Sequence, residues 1–168
     1  GDVALQIQNN ALTTNETTSI KFTNSTDSSL VFGQIQSSRI DGSNGKLSLS
    51  TRQSGSLGTV MTLDNAGYVG IGTTTPAGLL NVASTLPYVY LTDTNGATDN
   101  KHWFMENNAG VLSLGTTSDA LGVSNTRALT ITNSGNVGIG TTTPDALLKV
   151  NGTGTGDLFS VDRDGGVN

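Results

Sequence analysis

The chain reads as an all-β protein of repetitive, elongated build, and three observations lead there. Short stretches of alternating apolar and polar residues recur along its 168 residues. Clusters of Gly, Asn, Asp and Ser separate them, and no stretch carries apolar residues three to four apart over a dozen positions. Finally, ten residues occur almost twice: GYVGIGTTTP at 67–76 and GNVGIGTTTP at 135–144.

Taken in order, the alternating stretches are 3–8 (VALQIQ), 19–24 (SIKFTN), 46–50 (KLSLS), 60–64 (VMTLD), 88–93 (YVYLTD), 111–115 (VLSLG), 128–132 (ALTIT) and 158–162 (LFSVD). Each is predicted to be a strand, because period two places alternate side chains on opposite faces of a sheet. Turns are expected at Asn9-Asn10, Asp41-Gly42, Asn44-Gly45, Asn65-Ala66-Gly67, Asn95-Gly96, Asn108-Ala109-Gly110, Ser134-Gly135 and Asn151-Gly152. Asn and Gly tolerate the positive φ that tight turns require. The best helical candidate is a single turn at 75–80 and again at 143–148, where a Pro could occupy the first helical position.

The doubled motif sits in a longer frame. Residues 61–82 and 129–150 align without gaps at an offset of 68, with 14 of 22 positions identical. Upstream, 44–67 parallels 109–135, and 6–22 parallels 90–105 more loosely. A third copy, FSVDRDGGVN at 159–168, matches the start of the frame. The expected organisation is therefore a first repeat unit over 1–78, a second over 79–152 and a truncated third over 153–168, as in a fragment of a longer protein. Strict repetition points to a structural array before it points to an active site.

Composition agrees. Only 34% of residues are hydrophobic and 5% aromatic, whereas 22 are Gly. Charged residues make up only 12%, and the apolar ones are patterned, which argues against disorder. A chain this poor in large apolar groups buries them best by sharing a core with other chains. The net charge is −5, and the eight basic residues are scattered singly from Lys21 to Arg163, so nucleic acid is not an expected partner. No apolar run approaches a membrane helix, and membrane insertion is not expected. The chain has no Cys, which excludes disulfides and thiolate metal sites.

Within the motif, Val69, Ile71, Val137 and Ile139 alternate with Gly70, Gly72, Gly138 and Gly140, while Gly67 and Gly135 precede them. The glycines are expected to bare one face so that another backbone can approach. The Val and Ile residues would enter a narrow apolar core on the other face. Pro76 and Pro144 are expected to end the strand, and Leu79, Leu80 and Val82, with Leu147, Leu148 and Val150, supply a second apolar patch. Such a strand suits chains wound about a common axis. Three chains, each contributing one face of a triangular core, would also cover the open strand edges.

At these residues the chain resembles the shaft repeats of phage tail fibres and tailspikes, and of related bacterial and environmental surface-fibre proteins. The resemblance is carried by MTLDNAGYVGIGTTTPAGLLNV and by LTITNSGNVGIGTTTPDALLKVNGTGTGDLFSVDRDGGVN; over 2–59 and 87–124 only the alternation remains. It implies a parallel, intertwined homotrimer, of triple β-helix or β-prism kind, in an extracellular fibre on a virion or cell surface. Its implied partners are itself and adjoining fibre domains, with host-surface glycan as a further candidate. In that family the unit commonly precedes a C-terminal chaperone that trims itself off, whose catalytic residues have no counterpart here.

One cluster is chemically rich: His102-Trp103-Phe104-Met105-Glu106 holds the only His and the only Trp. Trp103, with Tyr88 or Tyr90 and His102 beside it, could form a platform for a sugar ring. The competing expectation is that Trp103 and Met105 pack in the unit's core while Phe104 faces away. Acids such as Asp41, Asp64, Asp93 and Asp162 fall at turns, where Asp caps backbone groups, rather than as a glycosidase pair. Asp162 and Asp164 with Gly165-Gly166 lack the further ligands of a calcium loop. Sequons at Asn15, Asn24 and Asn151 are expected by chance in so Asn- and Thr-rich a chain. The two triple-Thr corners are too sparse for an ice-binding surface, and His102 lacks a serine elbow. No enzyme, cofactor or metal is expected.

Overall fold

The computed structural model describes residues 16–24, 27–121 and 126–152. The strands expected at 3–8 and 158–162, the Asn9-Asn10 turn, the sequon at Asn15, the Asp162 region and the third unit lie outside these residues. The chain divides into two compact units, Gly1–Thr85 and Leu86–Asn168. The described residues are all β, and each unit is one six-stranded mixed sheet.

In the first unit the strands are β1 (Thr17–Asn24), β2 (Asp27–Arg39), β3 (Gly45–Gln53), β4 (Ser56–Leu63), β5 (Val69–Ile71) and β6 (Leu80–Val82). In the second they are β7 (Tyr88–Thr92), β8 (His102–Asn108), β9 (Val111–Thr117), β10 (Thr126–Ile131), β11 (Val137–Ile139) and β12 (Leu148–Val150). Spatial order follows chain order in both, and only the last pair of each sheet is parallel. The hairpins β3–β4 and β8–β9 turn through Ser54-Gly55 and Ala109-Gly110. Both residues of each pair have positive φ, which matches the right-handed twist of the flanking strands.

Several elements differ from expectation. β2 is not among the expected strands, because the consecutive Leu30-Val31-Phe32 breaks the alternation, and the β1–β2 ladder shifts register near Phe22 and Thr23. As a result β2, not residues 19–24, takes the place beside β3 that β8 takes beside β9. The proposed parallel of 6–22 with 90–105 is therefore not how the sheets correspond. Residues 75–80 and 143–148 form bends that run into β6 and β12, without a helical turn. The unit boundary falls after Thr85 rather than Gly78, because Leu80–Val82 completes the first sheet by pairing with Val69–Ile71.

The corner after β5 also works differently. The strand ends at Ile71 and Ile139, well before Pro76 and Pro144. Gly72 and Gly140 turn the chain with φ of 74° and 68°. Thr73 Oγ1 then accepts from Thr75 N at 3.2 Å, and Thr141 Oγ1 from Thr143 N at 3.3 Å. Both prolines are buried. The close approach expected of the glycines lies within the chain: a Cβ on Gly70 or Gly138 would stand 2.6 Å from the Thr73 or Thr141 carbonyl oxygen. A Cβ on Gly72 or Gly140 would stand 2.1 Å from the carbonyl oxygen of Ala83 or Asn151. The motif lets each unit fold its own corner over its own sheet.

Candidate functional site

The two faces of each sheet have opposite chemistry. On one face of the first unit an apolar row crosses all six strands through paired positions, Ile20–Ile35–Leu49–Met61–Ile71–Val82. The second unit repeats it as Val89–Met105–Leu114–Leu129–Ile139–Val150. Beside each runs a shorter row, Leu47–Leu63–Val69–Leu80 and Leu112–Ile131–Val137–Leu148. These side chains lie half-buried or exposed. The corner leucines stand out furthest, Leu79 at 77% and Leu147 at 78% exposure. Val69, Ile71, Val137 and Ile139 thus face the apolar side as expected, but among the described residues of each unit no core closes over them.

The opposite face is polar and buried. Its central row is Gln36–Ser48–Thr62–Gly70 in the first unit and Glu106–Ser113–Thr130–Gly138 in the second. Thr62 and Thr130, each paired with a motif glycine, are fully buried. Hydroxyls and small residues lie where a globular domain places its leucines, and the leucines lie outside.

This arrangement separates the residues expected to meet a glycan. Tyr90 and His102 lie on the buried face, whereas Trp103 lies on the apolar face, paired with Leu91 and Thr116. They share no site, so the sugar platform combining Trp103 with Tyr88 or Tyr90 does not form. The competing expectation is also inverted, since Phe104 is the buried residue at 2% exposure, whereas Trp103 and Met105 are 51% and 45% exposed. The reason is register: Phe104 pairs with Gly115, whose missing side chain leaves room for its ring. A Cβ there would come within 2.7 Å of it. Trp103 instead borders an apolar cavity of about 310 Å³ with Val89, Leu91, Phe104, Met105 and Leu114.

On the buried face Tyr88 and Tyr90 stack at 5.3 Å, and both meet Phe104 edge-on. Beside them the inaccessible Glu106 carboxylate pairs with the Arg127 guanidinium. Burial pushes its pKa up, but the hydrogen bonds from Arg127 and Tyr88 outweigh this and hold it below the ordinary glutamate value. The same contact raises the pKa of the Tyr88 phenol. Sequence reasoning misses this cluster. Its one signal is an acid in mid-strand on the side of Phe104, and the partner Arg127 lies across an irregular hairpin that sequence does not register.

His102 belongs to a clasp between loops. Its Nδ1 lies 3.0 Å from Thr92 Oγ1, and its Nε2 lies 3.3 Å from Asp119 Oδ1. Lys101 Nζ meets the other Asp119 oxygen at 2.8 Å, and Asp119 N donates to Asp99 Oδ1 at 2.9 Å. The Lys101 hydrogen bond keeps the Asp119 carboxyl below the usual range. These contacts fix the β7–β8 and β9–β10 connections together. Among the described residues no group of three or more His, Cys, Asp or Glu is arranged to hold a metal ion. No helix of the described residues is long and apolar enough to cross a membrane. The surface with the clearest unmet chemistry is therefore the apolar face, and the motif residues Gly67, Gly70, Gly72, Pro76 and their counterparts Gly135, Gly138, Gly140, Pro144 build the corner beside it. No protein-family model and no curated protein matches the chain.

Proposed function

We propose that this chain is a structural segment of a trimeric extracellular fibre, a phage tail fibre shaft or a cell-surface appendage, that holds a receptor-binding tip away from its base. The observation that carries the reading is the apolar row crossing all six strands and left open in each unit. An uninterrupted apolar stripe on a soluble surface marks an interaction site. Here it repeats at the period of the sequence, as it must if every unit meets its counterparts in the same way. Three sheets with their apolar faces inward close a triangular core and leave the polar faces outward. The role is mechanical: many small shared interfaces resist unzipping and proteolysis.

Sedimentation and light scattering test this directly. The expected particle has three times the 17.2 kDa of one chain and a high frictional ratio. A compact monomer at micromolar concentration would overturn the proposal.

A further inference from the structure

The shared strand order and apolar rows of the two units create a difficulty for assembly. Both apolar rows of the first unit have counterparts in the second, so a first unit set against a neighbour's second unit would lose little along them. A third, shorter row differs. In the first unit it is Phe22–Gly33–Thr51, and at the corresponding pairs of the second it is Leu91–Trp103–Thr116. The aromatic ring has moved by one strand. Phe22 lies over Gly33, with Cδ2 3.6 Å from where a Cβ would stand, whereas Trp103 rises from the second strand itself beside the apolar cavity.

We infer that Trp103 is the register key of an interface between copies of this chain, matching second unit to second unit and excluding second unit against first. The inference rests on the fibre reading above. The occupant of the surface is a second copy of the chain, for two reasons. No residue of the apolar rows carries a charge, so the face offers nothing to hold an ionic ligand. Its size also suits a protein partner. Eight side chains of the second unit's face are between 38% and 71% exposed, and at roughly 150–200 Å² per large apolar residue they present on the order of 700 Å², against about 800 Å² per partner in a standard interface. In the matched register, Trp103 of each copy meets Leu91 and Trp103 of the next, and the cavities are filled. Displaced by one unit, Trp103 faces Phe22 and Gly33 in place of Leu91 and Trp103, and this smaller pair leaves part of the interface unfilled, a void that costs stability. A single residue then rejects an alternative that the rest of the repeat tolerates.

The single tryptophan makes the test direct. Emission wavelength and acrylamide quenching are read on the assembled chain and on the chain unfolded in urea, together with sedimentation. The wild type is expected to give one discrete species with blue-shifted emission and quenching reduced several-fold. The double variant Leu91→Phe/Trp103→Gly, which copies the first unit's row, is expected to keep its β-sheet circular dichroism but to sediment as a spread of larger species. A displaced chain leaves an apolar overhang that recruits further chains. Trp103→Phe, which retains a ring on the same strand, should restore one species and guards against a folding defect in the double variant. Failure of the wild type to associate would overturn the fibre reading itself. An assembled wild type in which Trp103 stays as quenchable as in urea, or a double variant with the wild-type sedimentation profile, would leave the fibre standing and overturn the register key. Protection of Trp103 by added oligosaccharide in place of assembly would likewise overturn it, in favour of a sugar site.

Discussion

Replacing Gly140 by Ala asks how much the corner depends on a missing side chain. The new Cβ would stand 2.1 Å from the Asn151 carbonyl oxygen, far inside van der Waals contact, and the residue has φ of 68°. The left-handed conformation alone costs an Ala about 1–2 kcal/mol. Relieving the clash moves β12 away from β11 and weakens the hydrogen bonds from Asn151 N to Ile139 O and from Val137 N to Leu147 O, both 2.8 Å. At about 1 kcal/mol each, the total loss is about 3–4 kcal/mol. Gly135→Ala is the matched control. Its φ is 89°, but nothing lies within 4 Å of the added Cβ, so only the conformational part of about 1–2 kcal/mol applies. Urea unfolding of both variants at one protein concentration should separate them by about 2 kcal/mol. Hydrogen exchange should show faster opening at the Asn151 amide in Gly140→Ala only. Equal losses for the two variants would refute the intrachain account of the motif glycine.

Other outcomes follow from the buried face and the turns. Arg127→Met leaves Glu106 inaccessible and without its cation, and thermal or urea unfolding should register a loss of about 2–3 kcal/mol. Because the folded-state pKa of Glu106 is lowered, its contribution is complete above the ordinary glutamate value and is lost as the pH falls through the lowered one. Acid unfolding of the wild type should therefore steepen in that window, and Glu106→Gln should flatten it. Asp64→Ala removes the acceptor of hydrogen bonds from Ala66 N at 2.9 Å and Tyr68 N at 2.8 Å. A loss of about 1 kcal/mol is expected by chemical denaturation.

Much of this architecture is written in local patterns. Alternation locates β1, β3, β4, β7, β9 and β10, and the repeat foretells that the corners at 67–82 and 135–150 fold alike. Hydrogen bonds recur at the repeat offset, such as Gly72 N to Val60 O and Gly140 N to Ala128 O, both 3.0 Å. Alternation names the residues that share a face without saying which face is covered. Assigning the apolar face to the inside therefore exchanges Phe104 and Trp103. Burial here is decided by where the corner folds back, and that depends on contacts from Gly70 and Gly138 to Thr73 and Thr141 that no periodicity encodes. β2 is hidden because three apolar residues in succession mask period two. The partnership of Glu106 with Arg127 is hidden because pairing across β9 and β10 passes an irregularity between Arg127 and Leu129.

The parallel step at the end of each sheet has a consequence for growth. Four antiparallel pairings reverse the chain four times, so β5 runs in the direction of β1, and the short crossover of 72–79 lets β6 keep that heading. A six-stranded sheet of antiparallel hairpins alone would send its last strand out opposite to its first. Each unit instead receives and releases the chain with the same polarity, like a tile whose entry and exit arrows agree.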